Sequence, residues 1–116
     1  ARAPARAAPS SDAPIILVDM DDTICGFTAR ALSLVAERWP DVPRPAPDKT
    51  TFPLANSFSK EHKSLVTGLY VEPGFFRDMQ PIEGAVEAMH AMVAAGYNVR
   101  LCSSPLASSP HCPYWH

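Results

Sequence analysis

The stretch PIILVDMDDTI, Pro14 to Ile24, decides how this sequence is read. Four apolar residues, Ile15, Ile16, Leu17 and Val18, run straight into carboxylates at Asp19, Asp21 and Asp22. The run is short and rich in β-branched residues, which predicts a strand covered on both faces, as in a parallel sheet. Clustered carboxylates repel one another and are costly to desolvate unless a cation or hydrogen bonds offset them. Their place at a strand end therefore points to a functional requirement.

In extended chain, residues two apart point the same way, so Asp19 and Asp21 can converge on one site. Two converging carboxylates suit a hard cation such as Mg²⁺, which prefers oxygen ligands and often bridges to a substrate phosphate. With the charge neutralised, one carboxylate can act as nucleophile and the other as general acid/base. A calcium loop of the EF-hand type does not fit, because its glycine and distal bidentate Glu are not in place.

Outward from this stretch the period changes. Leu32, Val35, Ala36 and Trp39 recur at helical spacing, predicting a helix from Thr28 that Pro40 ends. A proline-rich loop runs from Pro40 to about Pro53. A second helix is expected from Ser57 to about Tyr70, with Phe58, His62, Leu65 and Leu69 on one face and His62 as a packing residue rather than a ligand. Pro81 suits the first turn of a third helix carrying Ile82, Val86, Met89 and Val93 as its apolar stripe, with Gly96 as its C′ cap. Tyr97 to Cys102 reads as a second strand, ending in Ser103-Ser104-Pro105.

A helix that runs directly into a strand is half of a right-handed βαβ crossover, which makes the two strands parallel. Ligands of open parallel sheets bind at the carboxyl ends of the strands. Ser103 and Ser104 are therefore expected to face Asp19 and Asp21 across one crevice. Their hydroxyls and neighbouring backbone N–H groups could hold phosphate oxygens there.

The totals bound the rest. A length of 116 residues suits one small domain, and a net charge of -2 gives no sign of a nucleic-acid or membrane surface. No apolar run approaches the roughly 20 residues of a membrane helix. Cys25, Cys102 and Cys112 lack metal-type spacing, and their odd count favours a reducing compartment. Residues 1–14 cannot bury a core and are expected to be a disordered leader, with a transit-peptide remnant as the alternative. The expected location is thus cytoplasmic, or mitochondrial or plastid under that alternative.

With these residues in view, ILVDMDDTI resembles the first motif of the haloacid dehalogenase (HAD) phosphohydrolase superfamily, and VRLCSSPL resembles its second. LVDMDDTICGF, EPGFFRDMQPIEGAVEAM, LCSSPL and HCPY, in that order, resemble the 5′(3′)-deoxyribonucleotidases of that superfamily. The resemblance implies an α/β fold, a partial HAD-like Rossmannoid parallel sheet with a small helical cap inserted after the first strand. The core would comprise residues 15–24 and 81–116, and the cap residues 25–80.

The implied activity is Mg²⁺-dependent hydrolysis of (deoxy)nucleoside 5′-monophosphates. By the resemblance Asp19 attacks phosphorus and carries an aspartyl-phosphate, and Asp21 protonates the leaving oxygen and then activates water. Mg²⁺ would be held by the Asp19 carboxylate and the Asp21 backbone carbonyl. Ser103, with Ser104 beside it, would bind the phosphoryl group, and Phe27, Phe52 and Tyr70 would wall the base and sugar. The expected partner is the small-molecule nucleotide, with a homodimer left open and neither nucleic acid nor membrane involved.

The family pattern also holds a Lys soon after the HCPY-like segment and an acidic pair on a later strand, and neither has a match here. Two strands also fall short of the roughly five that a doubly wound domain needs. The expectation is the N-terminal portion of a longer protein, or an aberrant product. Two alternatives follow: a catalytically impaired homologue serving as a binding or regulatory partner, and a HAD phosphatase of other specificity.

Overall fold

The computed structural model describes residues 12–104. Strand β1 (Ile15–Asp19) leads through a tight loop into helix α1 (Phe27–Arg38). Two short 3-10 turns, Pro47–Lys49 and Leu54–Ser57, precede helix α2 (Lys63–Tyr70). Helix α3 (Ala85–Ala94) then returns the chain to strand β2 (Asn98–Cys102). The strands pair in parallel with Ile15 opposite Asn98 and Asp19 opposite Cys102, so both carboxyl ends reach one edge. The parallel pairing is the one the crossover predicts, and the α/β arrangement is consistent with the partial HAD-like fold that the resemblance implies.

Among the described residues, the main buried cluster lies in the helical insertion between the strands. Ala31 and Val35 of α1 and Val66 and Leu69 of α2 are fully buried, and Leu54, Ala55, Phe58 and Phe75 close the cluster. Leu32 and Trp39 from the expected α1 stripe are half-buried against it. Arg38 in the last turn of α1 suits the negative end of the helix dipole.

Three local expectations are corrected. Helix α2 starts at Lys63 rather than Ser57. The Ser59 hydroxyl lies 2.9 Å from His62 Nδ1, and the His62 N–H donates to the Ser59 carbonyl at 3.0 Å. Such local bonds offer the backbone an alternative to helix, so 59–62 forms a turn. Helix α3 starts at Ala85 rather than near Pro81, because Pro81 is engaged in an antiparallel bridge with Cys25 and Gly84 takes φ +83° ahead of the helix. The predicted cap at Gly96 is present: the Gly96 N–H reaches the Val93 carbonyl and the Tyr97 N–H the Met92 carbonyl. That pair of bonds is a Schellman motif.

The third correction concerns the strand faces. β1 was expected to be covered on both, yet Ile15 is 58% and Leu17 66% exposed, while Val18 is buried. α3 buries none of its residues, and Val86 and Val93 of its stripe stay exposed. Alternation places Ile15 and Leu17 on the face opposite Ile16 and Val18. Among the described residues, nothing packs over that face closely enough to bury it.

Candidate active site

The loop after β1 is wound around one acceptor. The Met20 carbonyl receives the N–H groups of Thr23, Ile24 and Cys25 at 3.0–3.2 Å, and the Asp22 N–H donates to the Cys25 carbonyl at 2.7 Å. The winding forces Asp22 to φ +58°, a left-handed conformation that Asp tolerates better than most residues. Asp19 meanwhile accepts from the Met20 N–H through Oδ1 at 2.9 Å. A second tie joins the two linkers of the insertion. The Gly26 N–H donates to the Gln80 carbonyl at 3.0 Å, and the Ile82 N–H to the Ile24 carbonyl at 2.8 Å.

Above this loop lies a cavity of about 710 Å³. That lies in the range that holds a small-molecule ligand of nucleotide size. Asp19 and Asp21 from the end of β1, and Ser103 and Ser104 from the end of β2, line its floor. Phe27, Phe52 and Tyr70 line its sides. The seven residues singled out in the sequence thus border a single cavity.

Their surroundings differ. The Phe27 ring packs against Tyr70 with centroids 5.0 Å apart and edge-on against Phe75 at 5.6 Å. Partial burial pushes the Tyr70 phenol up to about 12. Phe52 stands at the rim, 98% exposed, so the described residues cover almost none of its ring. Asp21 has its carboxyl pKa raised, first by burial and then by the charges of Asp19 and Asp22. Burial and Asp21 likewise raise the Cys25 thiol.

Asp22, noted in the sequence only as a third clustered carboxylate, also lines the cavity, and Thr28, Thr50, Thr51, Leu54 and Phe76 were missed. The doublet Phe75-Phe76 carried a signal for one of them. Consecutive aromatics outside a regular helix seldom share an environment, and here Phe75 is 1% exposed in the core while Phe76 faces the cavity. Thr51 carried no local signal, since its place is set by Ser57, whose hydroxyl receives the Thr51 N–H at 2.7 Å. The HCPY-like segment and the adjoining C-terminus lie outside the described residues, as do residues 1–11.

Among the described residues, no cluster of three or more His, Cys, Asp or Glu is arranged to hold a metal. Asp19 and Asp21 supply oxygen donors of the kind Mg²⁺ prefers, and Mg²⁺ characteristically completes its shell with water and substrate phosphate. The donor types fit such an ion with one or two protein carboxylates and do not fit an all-protein cage. Among the described residues, no helix is long and apolar enough to cross a membrane.

Comparison with known proteins gives this geometry a family. Residues 13–111 match the family described as 5′ nucleotidase, deoxy (pyrimidine), cytosolic type C protein. The chain is 34% identical over 99 residues to a Bordetella bronchiseptica protein named "Putative 5′(3′)-deoxyribonucleotidase", covering 84% of this chain and 53% of that one. It is 33% identical over 102 residues to the human cytosolic-type 5′(3′)-deoxyribonucleotidase, covering 84% and 51%. It is 31% identical over 114 residues to the mouse mitochondrial 5′(3′)-deoxyribonucleotidase, covering 94% and 52%. The chain therefore spans about half the length of the curated relatives it matches. It belongs to the deoxypyrimidine 5′-nucleotidase family of cytosolic type C, within the HAD superfamily.

Proposed function

We propose that this chain carries the nucleophile-bearing part of a phosphate-monoester hydrolase that acts on deoxynucleoside 5′-monophosphates. The observation that supports it most is the meeting of two carboxylates and two hydroxyls, from adjacent parallel strand ends, at the floor of an aromatic-sided cavity. Hydroxyls, and carboxylates whose charge a cation offsets, suit the phosphate end of a nucleotide, and Phe27, Phe52 and Tyr70 suit its base and sugar.

A carboxylate oxygen of Asp19 forms a new bond to phosphorus as the bond from phosphorus to the nucleoside oxygen breaks. Asp21 gives its proton to that leaving oxygen, a role that a raised carboxyl pKa favours. Asp21, now ionised, takes a proton from the water that attacks the phosphoryl group, which frees Asp19 and inorganic phosphate. Ser103 and Ser104 hydrogen-bond the phosphoryl oxygens throughout. Asp19, through its carboxylate, and Asp21, through its backbone carbonyl, would hold Mg²⁺, which supplies charge neutralisation between carboxylates and phosphate. The helical segment 25–80 acts as the cap that covers the cavity and excludes water.

Phosphate release from deoxyuridine 5′-monophosphate tests this reading, with Mg²⁺ or chelator present and Asp19→Asn as the control. Release that needs Mg²⁺ and disappears in Asp19→Asn is expected. Equal release from the variant would refute the reading, and none from folded wild-type chain would refute turnover by this chain on its own.

A further inference from the structure

Asp22 lines the cavity, but its carboxylate is already engaged. One oxygen accepts the Thr28 N–H at 2.8 Å, and the other accepts the Thr28 hydroxyl. Thr28 is the second residue of α1, and its N–H is one of the donors that a helix start leaves without an intrahelical partner. Gly26, at the cap position, has no side chain to satisfy it. A residue six positions upstream, across the linker, does so instead. Asp22 holds this place only by taking φ +58°, a conformation with a steric cost for any residue with a Cβ.

The bond spans the junction between the two parts of the site. Asp22 belongs to the loop wound on Met20, directly after Asp21. Thr28 belongs to α1, directly after Phe27, whose ring packs with Tyr70 and Phe75 on the cavity side. We propose that Asp22 is a positioning residue: its two bonds to Thr28 set the aromatic side of the cavity at a fixed place relative to the carboxylate floor. The inference rests on the nucleotidase reading for its ligand, and on the Asp22–Thr28 geometry for its mechanism. Through these bonds Asp22 governs the fit of the nucleoside end; at the phosphate end it acts only through its charge, the last of the three causes that raise Asp21.

The test compares Asp22→Gly with Asp22→Asn in the full chain. Both remove the charge and both tolerate positive φ, but only Asn keeps an acceptor for the Thr28 N–H. Two quantities are read: amide hydrogen exchange at Thr28, and affinities for deoxyuridine 5′-monophosphate and for inorganic phosphate. Loss of the latch in Asp22→Gly is expected to speed Thr28 exchange about tenfold and to weaken the nucleotide about tenfold, on the scale of one lost helix-cap bond. Inorganic phosphate is expected to stay within about twofold, and Asp22→Asn to match wild type within about threefold in every reading.

Three results would overturn the proposal: unchanged Thr28 exchange in Asp22→Gly, phosphate weakened as much as the nucleotide, or Asp22→Asn as impaired as Asp22→Gly. Should wild type bind neither ligand, the nucleotidase reading falls, and the exchange comparison alone decides whether the latch exists.

Discussion

Replacing Phe75 by alanine should cost the fold about 3–5 kcal/mol, the usual range for a fully buried aromatic. Phe75 is 1% exposed and packs against three rings, with centroids at 5.6 Å to Phe27, 5.5 Å to Tyr70 and 5.1 Å to Phe76. The Arg30 guanidinium also lies over its face, 5.4 Å from the centroid. Aromatic pairs add about 0.5–1.5 kcal/mol each beyond area burial, which places the loss in the upper half of that range. Domains of this size hold about 5–15 kcal/mol in total, so the variant would be near its unfolding threshold. Leu17→Ala is the contrast. Leu17 is 66% exposed, so only about a third of its burial energy is at stake, about 0.5–1 kcal/mol. Urea unfolding of both variants, at two protein concentrations, gives the comparison. Equal losses would refute the conclusion that, among the described residues, the helical insertion contributes more to stability than the strand pair.

Three other outcomes follow from the same structure. Burial holds the Tyr70 phenol up at about 12 against an ordinary 10.0, so the folded chain retains a proton that the unfolded chain has lost between those pH values. That stabilisation is fully present below about pH 10 and falls as pH rises towards 12, by at most about 2 kcal/mol after discounting for solvent; Tyr70→Phe should flatten the slope, and an unchanged slope would assign it elsewhere. Phe52→Ala, at a side chain 98% exposed, should leave the unfolding midpoint unchanged and weaken nucleotide binding, by about 1–3 kcal/mol if the ring stacks on the base. The reverse pattern would make Phe52 structural. Arg38→Ala breaks an ion pair with Glu72 whose side chains are 39% and 38% exposed, and should cost less than about 1 kcal/mol in urea unfolding.

The strand order and the floor of the site were legible because they depend on local pattern. An apolar run ending in Asp-x-Asp, and a helix leading into a strand that ends in Ser-Ser, are enough to bring Asp19, Asp21, Ser103 and Ser104 to one edge. Gly96 was legible for the same reason, since a Schellman motif is built from six consecutive residues. Much of what escaped the sequence depends on contacts between separate segments. The bridge that removes Pro81 from α3 pairs it with Cys25, far away in the chain. The exposure of Ile15 and Leu17 is a property of what packs above them, which an apolar run does not disclose. Asp22 looked like a third member of a carboxylate cluster, and only the fold shows both its oxygens turned to Thr28.

The proposal that matters most is Asp19 as acceptor of the phosphoryl group. It is tested most directly by trapping: turnover of deoxyuridine 5′-monophosphate is quenched, any acyl phosphate is reduced with borohydride, and the Asp19 peptide is sequenced by mass spectrometry. Reduction of an aspartyl-phosphate leaves homoserine in place of aspartate, so homoserine is expected at position 19 with Asp21 unmodified. Phosphate release without homoserine at position 19, or with a phosphoryl group held at Ser103 instead, would contradict it.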